Sequence, residues 1–137
     1  MSALCVLDTD VLIGALDAGD AHHRPASRLI LGLIDRDVAL LISVVNYAET
    51  LVRPSETDDR LAQAERAIRT LGIELVAPTP AMGRDAARLR RGISLADGFA
   101  LATARALGAT VATFDVRVLR ALKPAGLQRA RVPRRPA

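Results

Sequence analysis

The sequence predicts an α/β protein: a three-layer α/β/α sandwich with a central, mostly parallel sheet of four to five strands. Three observations carry that expectation. Apolar runs of strand length recur along the chain, and between them apolar residues fall at helical spacing. Strand and helix alternate, which is the order of a parallel sheet covered on both faces. Glycine or proline closes most segments, so their ends can be placed.

Ala3 to Leu7 is a short apolar run bounded by Asp8, fit for a buried central strand. Val11, Leu12, Ala15 and Leu16 follow at helical spacing, and Gly19-Asp20 breaks that helix. His22 to Asp35 carries a second stripe of Leu29, Ile30, Leu33 and Ile34. Val38 to Ser43 is the second strand, and Val45 to Val52 a short helix ended by Pro54. Arg53 to Asp59 reads as a polar loop. Leu61 to Leu71 is helical and stops at Gly72. Ile73 to Val76 is the third strand, closed by Pro78 and Pro80; Ala81 to Arg91 is helical and ends at Gly92. Ser94 to Leu107 is an Ala/Leu-rich helix stopped by Gly108, Thr110 to Phe114 the fourth strand, and Val116 to Leu122 a last helix. Gly126 to Val132 is a candidate edge strand.

The chain of 137 residues reads as one domain, 1–137, with a basic tail from about residue 129. A chain of this size buries roughly two thirds of its surface. Half of it is hydrophobic, which excludes a disordered protein. No apolar run approaches the roughly 20 residues of a membrane span. The N-terminus lacks a basic region, its apolar stretch is short, and it ends in acid, unlike a signal peptide. A cytoplasmic location is expected. Cys5 is the sole cysteine, so an intrachain disulfide and a cysteine zinc site are excluded; a buried inert thiol is expected. His22 and His23 are adjacent and cannot share a helix face as metal ligands do.

The net charge is +4, carried by arginine except for Lys123. Arginine binds phosphate through a planar fork, although a GC-rich codon bias enriches it equally well. No acid follows Asp115, and Arg120, Lys123, Arg129, Arg131, Arg134 and Arg135 make the end of the chain basic. Such a tail suits RNA, an acidic partner, or solvent alone. Only Tyr47, Phe99 and Phe114 are aromatic, which argues against a domain that stacks on several bases.

Four acids stand out. Asp8 ends the first strand, Asp115 follows the fourth, Glu49 lies early in the helix after the second, and Asp97 opens an otherwise apolar helix. Ligands of parallel sheets bind beyond the carboxyl ends of the strands. Each acid also has a local reading. Asp8 and Asp115 suit helix N-caps, and the pairs Asn46/Glu49 and Ser94/Asp97 suit capping boxes. Capping leaves unexplained a charge at the sheet centre and an acid amid apolar neighbours. Carboxylates that converge at one edge repel one another unless a divalent cation holds them. Asp10 is open between ligand, supporting acceptor and N-cap. Thr9 and Thr113 are placed to hydrogen-bond a ligand carboxylate.

Val6-Leu7-Asp8-Thr9-Asp10-Val11-Leu12-Ile13 resembles the opening motif of PIN-domain ribonucleases, and within them the VapC-type toxins of toxin–antitoxin modules. The resemblance continues through Tyr47-Ala48-Glu49, Leu95 to Ala104, and Ala112-Thr113-Phe114-Asp115. It implies that Asp8, Glu49, Asp97 and Asp115 hold Mg²⁺ or Mn²⁺ and that the chain hydrolyses RNA phosphodiesters, leaving 5′-phosphate and 3′-hydroxyl ends. Glu49 is also a candidate to take a proton from the attacking water. Arg91 and Arg117 are candidates to steer the RNA backbone. The family often carries Asn or Ser at the place of Asp10. The resemblance further implies a small antitoxin partner and a homodimer. Two alternatives stand beside it. Asp8-Thr9-Asp10 also looks like the opening of haloacid-dehalogenase phosphatases, but these need a lysine before the final acidic motif, and Lys123 comes after it. A PIN-like module that only binds is the other.

Overall fold

In a computed structural model, residues 3–135 are described. Met1, Ser2, Pro136 and Ala137, which begin the predicted domain and end its tail, lie outside the described residues. Four strands form one parallel sheet: β1 (Leu4–Leu7), β2 (Ala39–Ser43), β3 (Glu74–Val76) and β4 (Thr110–Ala112), in the order β3-β2-β1-β4. Among the described residues six α-helices connect them and a seventh follows β4: α1 (Thr9–Leu16), α2 (His23–Asp35), α3 (Val44–Thr50), α4 (Asp58–Thr70), α5 (Pro80–Leu89), α6 (Leu95–Leu107) and α7 (Val116–Leu122).

Alternation along the strands separates two cores. Cys5 and Leu7 of β1 and Leu40 and Ile42 of β2 pack against α1, α2 and Ile68 of α4. Val6, Leu41 and Val111 face the other way, onto Ala100, Leu101 and Ala104 of α6 and Val118 of α7. A small third cluster seats Met82 and Ala86 of α5 on Ala102 of α6. The layers are therefore helix, sheet, helix.

The strands are shorter than the apolar runs, for reasons visible in the hydrogen bonds. Val38 and Ile73 give their N–H to Leu33 and Ile68, closing α2 and α4, and so do not enter the ladder. After β4, Phe114 N–H goes to Asp10 Oδ2 and Asp115 N–H to Thr113 Oγ1. Helix starts differ for a similar reason. Pro80, expected to close a strand, instead opens α5 behind the Thr79 cap. Thr57 caps α4, so this helix begins inside the expected polar loop. The Asn46/Glu49 capping box does not form: Ser43 caps α3 and Asn46 is buried within it. The expected edge strand is one parallel bridge, Val111 with Arg129.

The order β3-β2-β1-β4 fixes where a ligand can sit. From β1 the chain steps outward to β2 and β3, then returns to place β4 on the other flank of β1. The helices leaving β1 and β4 diverge to opposite faces, and their divergence opens a crevice at the carboxyl ends of those two strands. Asp8 and Asp115 stand there.

Candidate active site

Asp8 is the residue after β1 and the N-cap of α1. Its own N–H is still bonded to Ala112 O of β4, at 2.9 Å, so the sheet holds it in place. It is only 2% exposed. One carboxylate oxygen accepts Thr9 N–H at 2.9 Å, the other the Thr113 hydroxyl at 2.8 Å. Burial, then the charge of Asp10, push its carboxyl up to about 7, with Asp97 adding to the rise and the Thr113 and Thr9 hydrogen bonds opposing it.

Thr113 does two jobs. Its hydroxyl donates to Asp8 and accepts Asp115 N–H at 3.1 Å, joining the ends of β1 and β4. Asp115 caps α7, accepting Arg117 N–H at 2.9 Å, and pairs with the Arg117 guanidinium at 3.4 Å. Burial acts upward on Asp115, but the hydrogen bonds and charge of Arg117 outweigh it and hold the carboxyl below the usual range. Asp10, in the first turn of α1, accepts Phe114 N–H at 2.9 Å. Burial raises its carboxyl and Asp115 adds to the rise. Its other oxygen, Oδ1, is buried without a hydrogen-bond partner.

Asp97 is buried in the first turn of α6 and forms the reciprocal capping box with Ser94. Its charge reaches Asp8 across the crevice. Cap and site are thus the same residue, as they are for Asp8 and Asp115. Glu49 stands apart. It is exposed near the end of α3 and lines a groove of ≈870 Å³ with Ile13, Asp17, Arg53 and Arg60. Asp8, Asp10, Asp97 and Asp115 do not line that groove. Arg91 is exposed in the turn before α6.

The acids therefore meet in linked pairs, Asp8 with Asp10, Asp8 with Asp97, and Asp10 with Asp115. Among the described residues no three acidic, cysteine or histidine side chains are grouped tightly enough to cage a cation as they stand. The donor set is nonetheless all carboxylate oxygen, which suits a hard divalent ion. Burial first, and the neighbouring carboxylates after it, raise the Asp8 carboxyl, and one buried Asp10 oxygen is left without a partner.

Asn46 is the residue that sequence reading misplaced. It is fully buried, and its amide donates to Thr9 Oγ1 and to Ala96 O, both at 3.1 Å. It thereby ties the residue after Asp8 to the residue before Asp97. Its side-chain oxygen, Oδ1, has no partner. Asn46 and Glu49 are three apart and share a side of α3. The sequence signal for this role was thin: one amide in an apolar stretch, also readable as a cap. Cys5 is buried, and burial pushes its thiol up to about 11, as expected of an inert core residue.

Solved structures share the fold. VapC20 of Mycobacterium tuberculosis, described as a sarcin-ricin loop cleaving toxin, superposes with a TM-score of 0.68 at 21% identity, over 85% of this chain and 94% of that one. VapBC2 of Rickettsia felis, bound to a promoter DNA fragment, gives 0.69 at 18% identity, over 93% and 97%. FitAcB of Neisseria gonorrhoeae gives 0.66 at 22%, over 90% and 94%. No curated protein sequence matches the chain. The PIN domain model matches residues 5–123 and spans all the acids described above. On that match, and not as a haloacid-dehalogenase phosphatase, the chain belongs to the PIN domain family.

Proposed function

We propose that the chain is a divalent-metal-dependent endoribonuclease acting as the toxin of a toxin–antitoxin pair. The observation that carries the reading is Asp8: a buried carboxyl at the topological crevice, raised to about 7 and electrostatically linked to Asp10 and Asp97. Family membership and the toxins named among its structural likenesses support it.

Asp8 and Asp97, with Glu49 and Asp115, are the residues proposed to hold Mg²⁺ or Mn²⁺. When bound, such an ion supplies an activated water and charge neutralisation at the phosphodiester. The protein's own part is positional. Thr113 and Thr9 hold the Asp8 carboxylate, Ser94 holds Asp97, and Asn46 ties Thr9 to Ala96 beside them. The N-termini of α1 and α7 point their positive ends at the same edge, which eases approach of a phosphate. Glu49, exposed at the rim, is free to take a proton from water. Arg117, already against Asp115, and Arg91 are proposed to steer the RNA backbone into the crevice.

Antitoxin binding and homodimer formation belong to the same proposal; the toxin–antitoxin complexes among the structural likenesses support the antitoxin. A cytoplasmic location is proposed as well; no helix of the described residues is long and apolar enough to cross a membrane. The test is direct. Purified wild type and Asp8→Asn are incubated with total RNA, with Mg²⁺ or EDTA, and the cut ends are mapped. Wild type should cut only with metal, leaving 5′-phosphates, and Asp8→Asn should be folded and nearly inactive. Equal cutting by both proteins would remove Asp8 from the mechanism; no cutting in any divalent metal would leave the binding-module reading.

A further inference from the structure

The acidic edge is not the only charged feature of β4. Where that strand begins, at the opposite end from Asp8 and Asp115, a recess of ≈720 Å³ is lined by Thr110, Lys123, Gly126, Gln128, Arg129 and Arg131. Three of these side chains are cationic and none is acidic. Among the described residues none of the three pairs with an acid, whereas Arg135 pairs with Asp35 and Arg117 with Asp115. Like charges held together without counter-charge repel, and an anion relieves that repulsion.

The recess is built from fixed backbone. The end of α7 turns through Gly126, at φ 74°, and its last carbonyls are taken by the N–H groups of Ala125, Gly126 and Leu127. The tail then runs beside β4: Val111 N–H bonds Gln128 O at 3.0 Å and Ala130 N–H bonds Val111 O at 2.8 Å. Ala130 is buried, and Val132 sits in a notch at Gly32 of α2, where a Cβ would come within 2.7 Å of it. Arg129 and Arg131 thus project from a strap anchored on both sides of Ala130. The recess and the acidic edge share one short strand. Thr110 lines the first and Thr113 holds Asp8 in the second, a step of roughly 10 Å at about 3.3 Å per residue.

We propose that this recess is a phosphate-backbone site, at which Lys123, Arg129 and Arg131 bind the nucleic-acid strand outside the segment that enters the acidic edge. The proposal rests on the nucleic-acid reading of the site above. An RNA backbone suits it better than an acidic protein does: two of the three cations are arginine forks, and they lie a fixed step from the edge at which a phosphodiester is proposed to be cut.

The experiment measures binding of a short labelled single-stranded RNA to the full chain in EDTA, by fluorescence anisotropy across a KCl series. The variant is Lys123→Gln/Arg129→Gln/Arg131→Gln, with the three single changes alongside in case the triple does not fold. Wild type should show a salt slope that the triple reduces by about 2, at about 0.7 per lost phosphate contact, and each single by about 0.7. The loss should be the same for RNAs of different sequence. An unchanged affinity and slope would overturn the proposal. So would displacement of the RNA by polyglutamate at equal charge concentration, which would assign the face to an acidic protein. Because EDTA removes cleavage from the measurement, a wild type that binds RNA through the recess yet never cuts it would sink only the nuclease reading.

Discussion

Asp8 keeps its proton far above the ordinary aspartate range because burial and neighbouring carboxylates both disfavour its charge. The folded state thus binds a proton that the unfolded chain has released. The stabilisation is complete below 3.8, declines as pH rises, and is lost through about 7. In EDTA, the stability of wild type relative to Asp8→Asn should fall across that window by a few kcal/mol, on the order set by about 1.4 kcal/mol per pH unit. Urea unfolding of the two proteins at a series of pH values reads this difference; a flat line would mean that Asp8 is not electrostatically strained. Asn46 makes a second prediction at this scale. Asn46→Leu strips the hydrogen bond from Thr9 Oγ1 and from Ala96 O, and should cost about 1–3 kcal/mol. It should also weaken Mg²⁺ binding measured by calorimetry, since it loosens the neighbours of both Asp8 and Asp97. A stability loss with unaltered Mg²⁺ affinity would make Asn46 a core residue only. From sequence, Asp8 and Asp97 were readable as candidates because each interrupts an apolar stretch. Asn46 was not, because its partners are 37 and 50 residues away.

Helix α6 shows how an element carries a functional side chain. Ser94 starts it, Gly108 at φ 67° ends it, and its small residues let α5 lie close. Gly98 is a point of close approach: a Cβ there would stand 2.7 Å from Ala86 O. Alanine ordinarily gains up to about 1 kcal/mol over glycine inside a helix. Here Gly98→Ala should instead destabilise by about 1–3 kcal/mol, because a backbone carbonyl must move. The shift falls one residue from Asp97, so metal-dependent activity should drop further than stability alone explains. Thermal melts that show Gly98→Ala at or above wild-type stability would contradict the close packing. The sequence placed α6 and α7 well, since glycine stops and polar caps are local signals. It overran β4 and missed the start of α4, because those boundaries depend on which distant group takes an N–H.

Across the whole molecule, the strand order β3-β2-β1-β4 places the ends of β1 and β4 side by side. Residues more than a hundred positions apart, Asp8 and Thr113, then share a hydrogen bond. A cation bound at this edge relieves repulsion in the folded state alone. Mg²⁺ at a hundredfold excess over its Kd should therefore add about 2.7 kcal/mol of stability. For a chain of this size that is a rise of several degrees in Tm, absent in Asp8→Asn. A melting curve indifferent to Mg²⁺ would count against a shared site. By itself the sequence determined the fold class, the helices and the acids worth watching, because periodicity, caps and apolar flanks are properties of neighbours along the chain. Only the tertiary structure decided which acids feel one another, that Glu49 lines an exposed groove, and that the basic tail is strapped against β4. Those outcomes follow from strand order and from hydrogen bonds between distant segments, which no local pattern encodes.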